Sequence, residues 1–196
     1  MFLLLRDHYF IIYTAQASTM SRQDKSYKIL VLGATRTGKT SLVKMFVESQ
    51  LEGEPSMTIG AVVFKKEVNI DNGRVVLDLW DVEEPRLVFT SEDSYFNGTR
   101  GVVIVYDITR RDTLNEAVEC CKKCTKQGLI HIPRILVGNK IDLESDREVS
   151  REEVNEIADR IHAVHYETSA IDGKNVDDVF LKMGAMVQEM NDITSW

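Results

Sequence analysis

The sequence predicts a single α/β domain with a mostly parallel six-stranded sheet and helices on both faces. Three observations support this prediction. Short apolar runs alternate along the chain with segments of helical periodicity, as a doubly wound α/β fold requires. The run at 101–107 is almost wholly apolar, which is typical of a central strand covered on both faces. Residues 29–32 (ILVL) lead through a glycine-containing loop directly into a helical segment.

Local patterns define the elements of the first half of the chain. The first predicted strand covers residues 27–32, and a helix over 39–49 follows the loop. Residues 62–70 and 74–80 alternate apolar and polar side chains on either side of DNG at 71–73. Because this tripeptide is a strong turn signal, the two runs are predicted to pair as an antiparallel hairpin.

The second half continues the alternation of strands and helices. Strands are predicted at 101–107 and 135–138, with a short one before ETSA at 167–170. The tetrapeptide SREE at 150–153 is a capping box, which indicates the start of a helix. The last helix is predicted to bury a stripe with three- and four-residue spacing: Val176, Val179, Phe180, Met183, Val187 and Met190.

Composition limits the classes of partner. A length of 196 residues suits one domain with a sizeable core, and 43% hydrophobic with 28% charged residues is ordinary for a globular protein. The net charge of −7 disfavours nucleic acid as a partner. Three cysteines, Cys120, Cys121 and Cys124, fall on one predicted helix and are interpreted as apolar fillers in a reduced chain.

The sequence divides into three parts. Residues 25–190 form the predicted domain, 1–24 a poorly ordered N-terminal extension and 191–196 a short C-terminal tail. Charged residues interrupt the apolar start of the extension, which is shorter than the ~20 apolar residues that cross a bilayer. We favour an extension ahead of an internal start at Met20, and an interfacial membrane anchor is the alternative.

The first motif predicts phosphate binding. Residues 33–40 read GATRTGKT, which is GxxxxGKT between a strand and a helix. The backbone N–H groups of such a loop and the positive end of the following helix bind a polyphosphate. Lys39 reaches the terminal phosphates, and the Thr40 hydroxyl is placed to ligate Mg²⁺. The loop residues predicted to bind nucleotide are Gly33, Thr35, Arg36, Thr37, Gly38, Lys39, Thr40 and Ser41.

The second motif predicts that the base is guanine. NKID at 139–142 ends an apolar strand, and the carboxyl ends of parallel strands share one crevice with the phosphate loop. The Asp142 carboxylate can accept two hydrogen bonds from the N1–H and N2–H₂ edge of guanine, whereas adenine lacks that pair of donors. With Asp142, four further residues are assigned to this side of the site: Asn139, Lys140, Ser169 and Ala170.

In this order the motifs resemble those of the Ras superfamily of small GTPases, and of its Rab family in particular. TIG at 58–60 matches the first switch of the family, and residues 94–109 are similar to the corresponding Rab stretch. The resemblance covers about 27–190. It implies a P-loop NTPase domain that binds GTP or GDP with Mg²⁺, and an ion held by Thr40, Thr58 and, through water, Asp81. Asp107 is given only a structural role at a strand end.

The second switch departs from the family pattern. The family motif Asp-x-x-Gly-Gln is replaced by DVEEP at 81–85. Glu84 adds negative charge where the γ-phosphate would lie, and Pro85 has no side-chain donor that could orient the attacking water. No catalytic residue is therefore assigned, although Glu83 is a weak candidate for positioning the water. These departures predict very slow intrinsic GTP hydrolysis.

Two further departures lie around the nucleotide. Leu51 replaces an aromatic residue that covers the guanine in the family, so base stacking is lost. In the phosphate loop, Thr35 and Arg36 replace small residues. We expect Thr35 to crowd the γ-phosphate region, and Arg36 to face solvent or pair with Glu83 or its neighbour. No cysteine follows Cys124, so no C-terminal prenyl anchor is expected on this sequence.

Two functions are consistent with these features. The first is a Rab-like GTP/GDP switch in membrane trafficking or signalling, monomeric and cytoplasmic, whose switch regions bind effectors and regulators. Such a protein could also be peripheral on a membrane through its partners or the N-terminal apolar segment. The alternative is a degenerate GTPase-fold scaffold that holds one nucleotide or none, which Glu84 favours. An ATP-dependent P-loop kinase is disfavoured by the NKID motif at 139–142.

Overall fold

The computed structural model describes residues 25–48, 56–58, 60–70, 73–83 and 96–193, with the backbone alone at 56–58. These residues form a seven-stranded sheet flanked by four α-helices. The strands are β1 (Lys25–Gly33), β2 (Ser56–Thr58), β3 (Ala61–Ile70), β4 (Gly73–Val82), β5 (Thr99–Asp107), β6 (Arg134–Asn139) and β7 (Val164–Thr168). The helices are α1 (Lys39–Glu48), α2 (Arg111–Lys126), α3 (Arg151–Arg160) and α4 (Val176–Ile193), and a 3-10 helix covers Ile141–Asp146. Within the described residues, no helix combines the length and apolarity needed to cross a bilayer.

The sheet order is β2-β3-β4-β1-β5-β6-β7. The central strand β1 pairs in parallel with β4 and β5, and β6 and β7 continue the parallel part. The antiparallel pairs are β2 with β3 and β3 with β4, at one edge of the sheet. The predicted mostly parallel α/β fold is therefore confirmed. The six predicted strands are present, and β2 is an additional edge strand whose three residues are too few to show an alternating pattern.

The predicted hairpin is confirmed as β3 and β4. Their register pairs Ala61 with Val82 at the open end and Ile70 with Gly73 at the closed end. The connection is therefore two residues long, as the turn signal predicts, and those two residues lie outside the described part of the chain. The hairpin carries Asp81 to the end of β4, beside the carboxyl end of β1.

The sheet divides the core into two apolar layers. On one face α1 and α4 pack together, and the rings of Phe46 and Phe180 stack with centroids 4.4 Å apart. On the other face α2 and α3 cover Tyr106 and its neighbours. The predicted helical stripe is buried from Val176 to Val187, and Met190 is half-buried. Because both faces are covered, the polar end of the sheet is left to form the site.

The N-terminus of α3 differs in one detail from the predicted capping box. Ser150 Oγ accepts a hydrogen bond from the Glu153 backbone N–H at 3.2 Å, so the helix begins at Arg151 as predicted. The Glu153 carboxylate instead pairs with the Arg111 guanidinium at the start of α2. A full positive charge from a neighbouring helix replaces the backbone N–H that a capping box would use. This ion pair ties α3 to α2.

The three cysteines lie on α2 as predicted, and all are buried in the second layer. Burial raises the pKa of Cys120 to about 11 and that of Cys124 to about 12. At neutral pH these two thiols therefore remain protonated and pack as small apolar groups.

Candidate nucleotide site

The phosphate loop joins the carboxyl end of β1 to the start of α1. Its first and last glycines, Gly33 and Gly38, have φ of +141° and +90°. A Cβ at Gly33 would lie 2.1 Å from the Val105 carbonyl oxygen, and one at Gly38 would lie 2.3 Å from Asn139 Nδ2. Both positions therefore require glycine, for conformation and for close packing against β5 and β6. The fold thus presents a compact loop at a helix N-terminus, which is a favourable arrangement for a phosphate group.

Lys39 is held against the beginning of this loop. Its Nζ donates hydrogen bonds to the carbonyl oxygens of Gly33 and Ala34, each at 3.0 Å, and the side chain is buried. Burial lowers the pKa of Lys39, while the nearby Asp81 carboxylate acts in the opposite direction. The loop carbonyls thus hold the Lys39 ammonium where a polyphosphate would be bound.

A hydroxyl and a carboxylate meet beside Lys39. Thr40 Oγ1 donates to Asp81 Oδ2 at 2.5 Å, and the other oxygen, Oδ1, is buried without a hydrogen-bond partner. Burial raises the pKa of Asp81 above its ordinary value, and the hydrogen bond from Thr40 and the charge of Lys39 offset this only in part. The Thr40 hydroxyl and the Asp81 carboxylate thus place oxygens side by side, and Asp81 Oδ1 has no partner among the described residues. Oxygen ligands of this kind suit a small hard cation, so these residues fit Mg²⁺. Of the third predicted ligand, Thr58, the structure describes the backbone alone, in β2.

Asn139 connects the phosphate loop to the two base-side loops. Its Nδ2 donates to the Thr37 carbonyl oxygen at 2.9 Å. Its Oδ1 accepts from Thr168 Oγ1 and from the Ala170 backbone N–H, each at 3.1 Å. The side chain is only 2% exposed, so these bonds are shielded from water. One amide therefore brings three predicted segments of the site to one place.

On the base side of the site, Ser169 and Ala170 are buried and the Asp142 carboxylate is accessible. Ser169 and Ala170 are buried after β7, and Ser169 Oγ accepts from the Asp172 backbone N–H at 3.1 Å. Lys140 has φ of +74°, which redirects the chain from β6 into the 3-10 helix. Asp142 is exposed in that helix. Its carboxylate can therefore meet a ligand without first losing buried hydrogen bonds.

The sequence analysis missed the part that Asp107 plays at this site. The buried Asp107 Oδ2 contacts Lys140 Nζ at 2.6 Å and Arg110 Nε at 3.4 Å. Arg110 also donates through Nη2 to the Thr35 carbonyl oxygen at 2.9 Å. Burial raises the pKa of Asp107, but hydrogen bonds from Lys140 and Thr109 outweigh it and leave the pKa below its ordinary value. Asp107 thus links the guanine side of the site to the phosphate loop. A sequence signal was present, because a central apolar strand ends in an acidic residue followed by Arg110.

Replacing Asp107 tests this link. Asp107→Asn keeps the shape but removes the charge that holds Lys140 and Arg110, so we expect GDP to dissociate about tenfold faster, equivalent to about 1.4 kcal/mol. Release of a fluorescent GDP analogue measures the effect. Asp159→Asn, an exposed position in α3, is the matched control and should leave the rate unchanged. Equal release rates in Asp107→Asn and the unmodified protein would refute the link.

Other predicted residues occupy the rim or lie outside the described residues. Thr35, Arg36 and Ser41 are exposed, and Arg36 has φ of +65° in a conformation that favours glycine. Of the two expected positions of Arg36, the structure shows the solvent-facing one, and among the described residues Arg36 forms no ion pair with the exposed Glu83. The physical reason is that two exposed charges gain little from pairing. Leu51, Glu84 and Pro85 lie outside the described residues.

Comparisons with known proteins agree with the motifs and their arrangement. The sequence model of the Ras family matches residues 28–189. The Ras-related protein RABC2a of Arabidopsis thaliana is 35% identical over 179 residues, which cover 89% of this chain and 83% of the relative. Rab-4A of Mus musculus is 33% identical over 168 residues, covering 86% of this chain and 77% of its own. Rab-4B of Homo sapiens is 35% identical over 159 residues, covering 81% and 75% respectively.

Proposed function

This chain belongs to the Ras family as a Rab-like small GTPase, and from this premise we propose that it is a GTP/GDP switch with very slow intrinsic hydrolysis. The observation that carries the proposal is the set of three hydrogen bonds made by Asn139. They hold the phosphate loop beside the loops that contain Asp142 and Ala170. Binding of the phosphates and recognition of the base therefore depend on one rigid framework.

The roles of the residues follow from their positions. Lys39 and the backbone N–H groups of residues 33–40 bind the phosphates, and Asp142 accepts from the guanine edge. Thr40 and Asp81 would hold Mg²⁺, with Thr58 as a third ligand. Bound Mg²⁺ supplies charge neutralisation for the β- and γ-phosphates. Because family members share this chemistry, we expect this protein to differ from them in its switch segments.

We place the output of the switch at the segments around Thr58 and after Asp81. The backbone N–H of Glu83 donates to the Gly60 carbonyl oxygen at 3.2 Å, so the two segments meet at the end of the β3–β4 hairpin. Both adjoin Asp81, which lies beside Thr40. A change at the terminal phosphate can therefore reach both segments, and protein effectors would recognise them together. By similarity to the Rab relatives, the process is membrane trafficking, with membrane association supplied through partners.

Intrinsic hydrolysis is expected to increase when the family residues are restored. Glu84→Gly with Pro85→Gln removes the negative charge near the γ-phosphate and supplies a side chain that can orient water. We expect the unmodified protein to remain below the ~10⁻⁴ s⁻¹ of unaided Ras-type relatives, and the double variant to exceed it by about tenfold or more. Single-turnover hydrolysis of radiolabelled GTP measures both rates.

The matched variant for this experiment is Glu83→Gln, because Glu83 is exposed and immediately precedes the two replaced positions. It should leave the slow rate unchanged. An unmodified rate at or above that of the double variant would show that another residue positions the water and that the proposal of slow hydrolysis is wrong. A lower rate in Glu83→Gln would identify Glu83 as that residue.

The alternative function is a scaffold that holds one nucleotide permanently or none, and Glu84 is the residue that favours it. The nucleotide that copurifies with the protein separates the two functions. Ion-exchange chromatography of the denatured protein should reveal GDP or GTP at close to one per chain, exchangeable after chelation of Mg²⁺. A protein without nucleotide, and without measurable binding of added GDP, would be the scaffold instead.

A further inference from the structure

A cavity of about 630 Å³ lies at the opposite end of the sheet from the nucleotide site. It opens between the C-terminal half of α2 and the C-terminal end of α3. Arg134 in its wall begins β6, whereas Asn139 of the nucleotide site ends that strand. At the rise of a β-strand the two ends are roughly 17 Å apart. Apolar side chains supply part of its lining: Val118, Cys121, Ile130 and Ile161. Its size is within the usual range for a ligand site.

Arg134 in the wall of this cavity carries a buried charge, and no carboxylate of the described residues pairs with it. The side chain is only 6% exposed, and its Nη2 donates to the Leu129 carbonyl oxygen at 2.6 Å. Its other recorded acceptors, among the described residues, are the Thr125 hydroxyl and the carbonyls of Ile130 and Ile161. Its Nε is buried with no hydrogen-bond partner. Neutral oxygens thus orient the guanidinium but do not neutralise it, so the wall attracts an anion.

Further polar and charged side chains surround the opening. Arg160 and His162 are exposed, and within the described residues neither is recorded in an ion pair. Lys122 pairs with Glu119 at 2.6 Å, so these two charges offset each other, and the positive charge of the described lining comes from Arg134 and Arg160. In a chain of net charge −7, this opening is a local positive surface.

We propose that this cavity binds an acidic peptide segment of a partner protein. The carboxylates would face Arg160, Lys122 and His162, and an apolar side chain of the peptide would enter the cavity. Ile130, which is 53% exposed, would lose the most water-exposed apolar surface on that contact. A phosphorylated lipid headgroup satisfies the cations but leaves the apolar lining uncovered, and a flat membrane surface does not enter a cavity. A peptide in which acidic side chains flank apolar ones matches both properties.

The first test uses three fluorescein-labelled hexapeptides with the sequences EDLFDE, EDSSDE and KKLFKK. Fluorescence polarisation should show saturable binding of the first, with affinity at least about tenfold weaker for the second and no binding of the third. Amide chemical shifts measured with unlabelled EDLFDE should change around Ile130 and Arg160 and stay constant in the phosphate loop. Unchanged amide shifts around the cavity at millimolar peptide would overturn the proposal.

The second test uses charge reversal. Arg160→Glu should weaken binding of EDLFDE by about tenfold or more. Lys182→Glu, an exposed position of α4 on the other face of the sheet, changes the net charge equally and should have no effect. Both variants should retain GDP, so failure here is distinguishable from failure of the proposed nucleotide switch. Equal losses in both variants would mean unspecific attraction. If vesicles that contain phosphatidylinositol phosphate bind in an Arg160-dependent manner and the peptides do not bind, the peptide proposal is overturned and the ligand is a lipid headgroup.

Discussion

Asp142→Asn should weaken GDP binding by at least about a hundredfold and create affinity for xanthine nucleotides. The carboxylate is the one group of the proposed site that accepts from both guanine donors, and losing such a matched pair has a large effect on selectivity. Xanthine carries an oxygen at C2, which can accept a hydrogen bond from the amide of asparagine. Isothermal titration with GDP and with xanthosine diphosphate measures the exchange of specificity.

Asp146→Asn is the matched control, because Asp146 is exposed at the other end of the same 3-10 helix. It should bind GDP as the unmodified protein does. The gain of xanthine binding in Asp142→Asn also shows that the variant is folded, which a simple loss of GDP binding would not. Unchanged GDP affinity in Asp142→Asn would remove this residue from the base site.

Lys39→Ala is the second substitution for which we expect a large effect. It removes the buried ammonium that the Gly33 and Ala34 carbonyls hold in the loop, and with it the cation nearest the phosphates. We expect affinity for GDP and GTP to fall by about a hundredfold, or about 2.7 kcal/mol, because hydrogen bonds between charged groups are the strong ones. Titration calorimetry with each nucleotide measures the loss.

Lys44→Ala is the control, since Lys44 is an exposed lysine of the same helix. Its affinity should equal that of the unmodified protein, and circular dichroism should show that both variants are folded. Chelation of Mg²⁺ with EDTA should weaken binding independently of Lys39. Affinity that survives chelation would contradict the role given to Thr40 and Asp81.

Most of the fold could be predicted because its elements are locally encoded. Apolar runs of strand length, the turn signal before Gly73 and the cap at Ser150 each specify structure within a few residues. Strand β2 could not be predicted, since three residues give no periodicity and pairing with β3 alone defines them. Strand ends also differ from prediction by one or two residues, because they depend on the neighbouring strand.

The site was less predictable than the fold. Motifs predicted the residues of the phosphate and base loops, but they gave no contacts between those loops. The bonds of Asn139 to Thr37 and Ala170 join segments that are distant in the chain. The ion pair of Asp107 with Lys140 depends likewise on the parallel register of β5 and β6. Such tertiary contacts have no local sequence pattern.

The central position of β1 has a consequence for how the protein is made. This strand and its loop are synthesised early, but β1 pairs with β4 and β5, which follow much later. The loop also needs residues that are synthesised still later. Asn139 donates to the Thr37 carbonyl oxygen, and Ala170 in turn donates to Asn139. A nascent chain on the ribosome therefore has the phosphate motif but no site, and pairing at such long range makes folding slow. Because a ligand stabilises only the state that binds it, nucleotide would act at the final step of maturation.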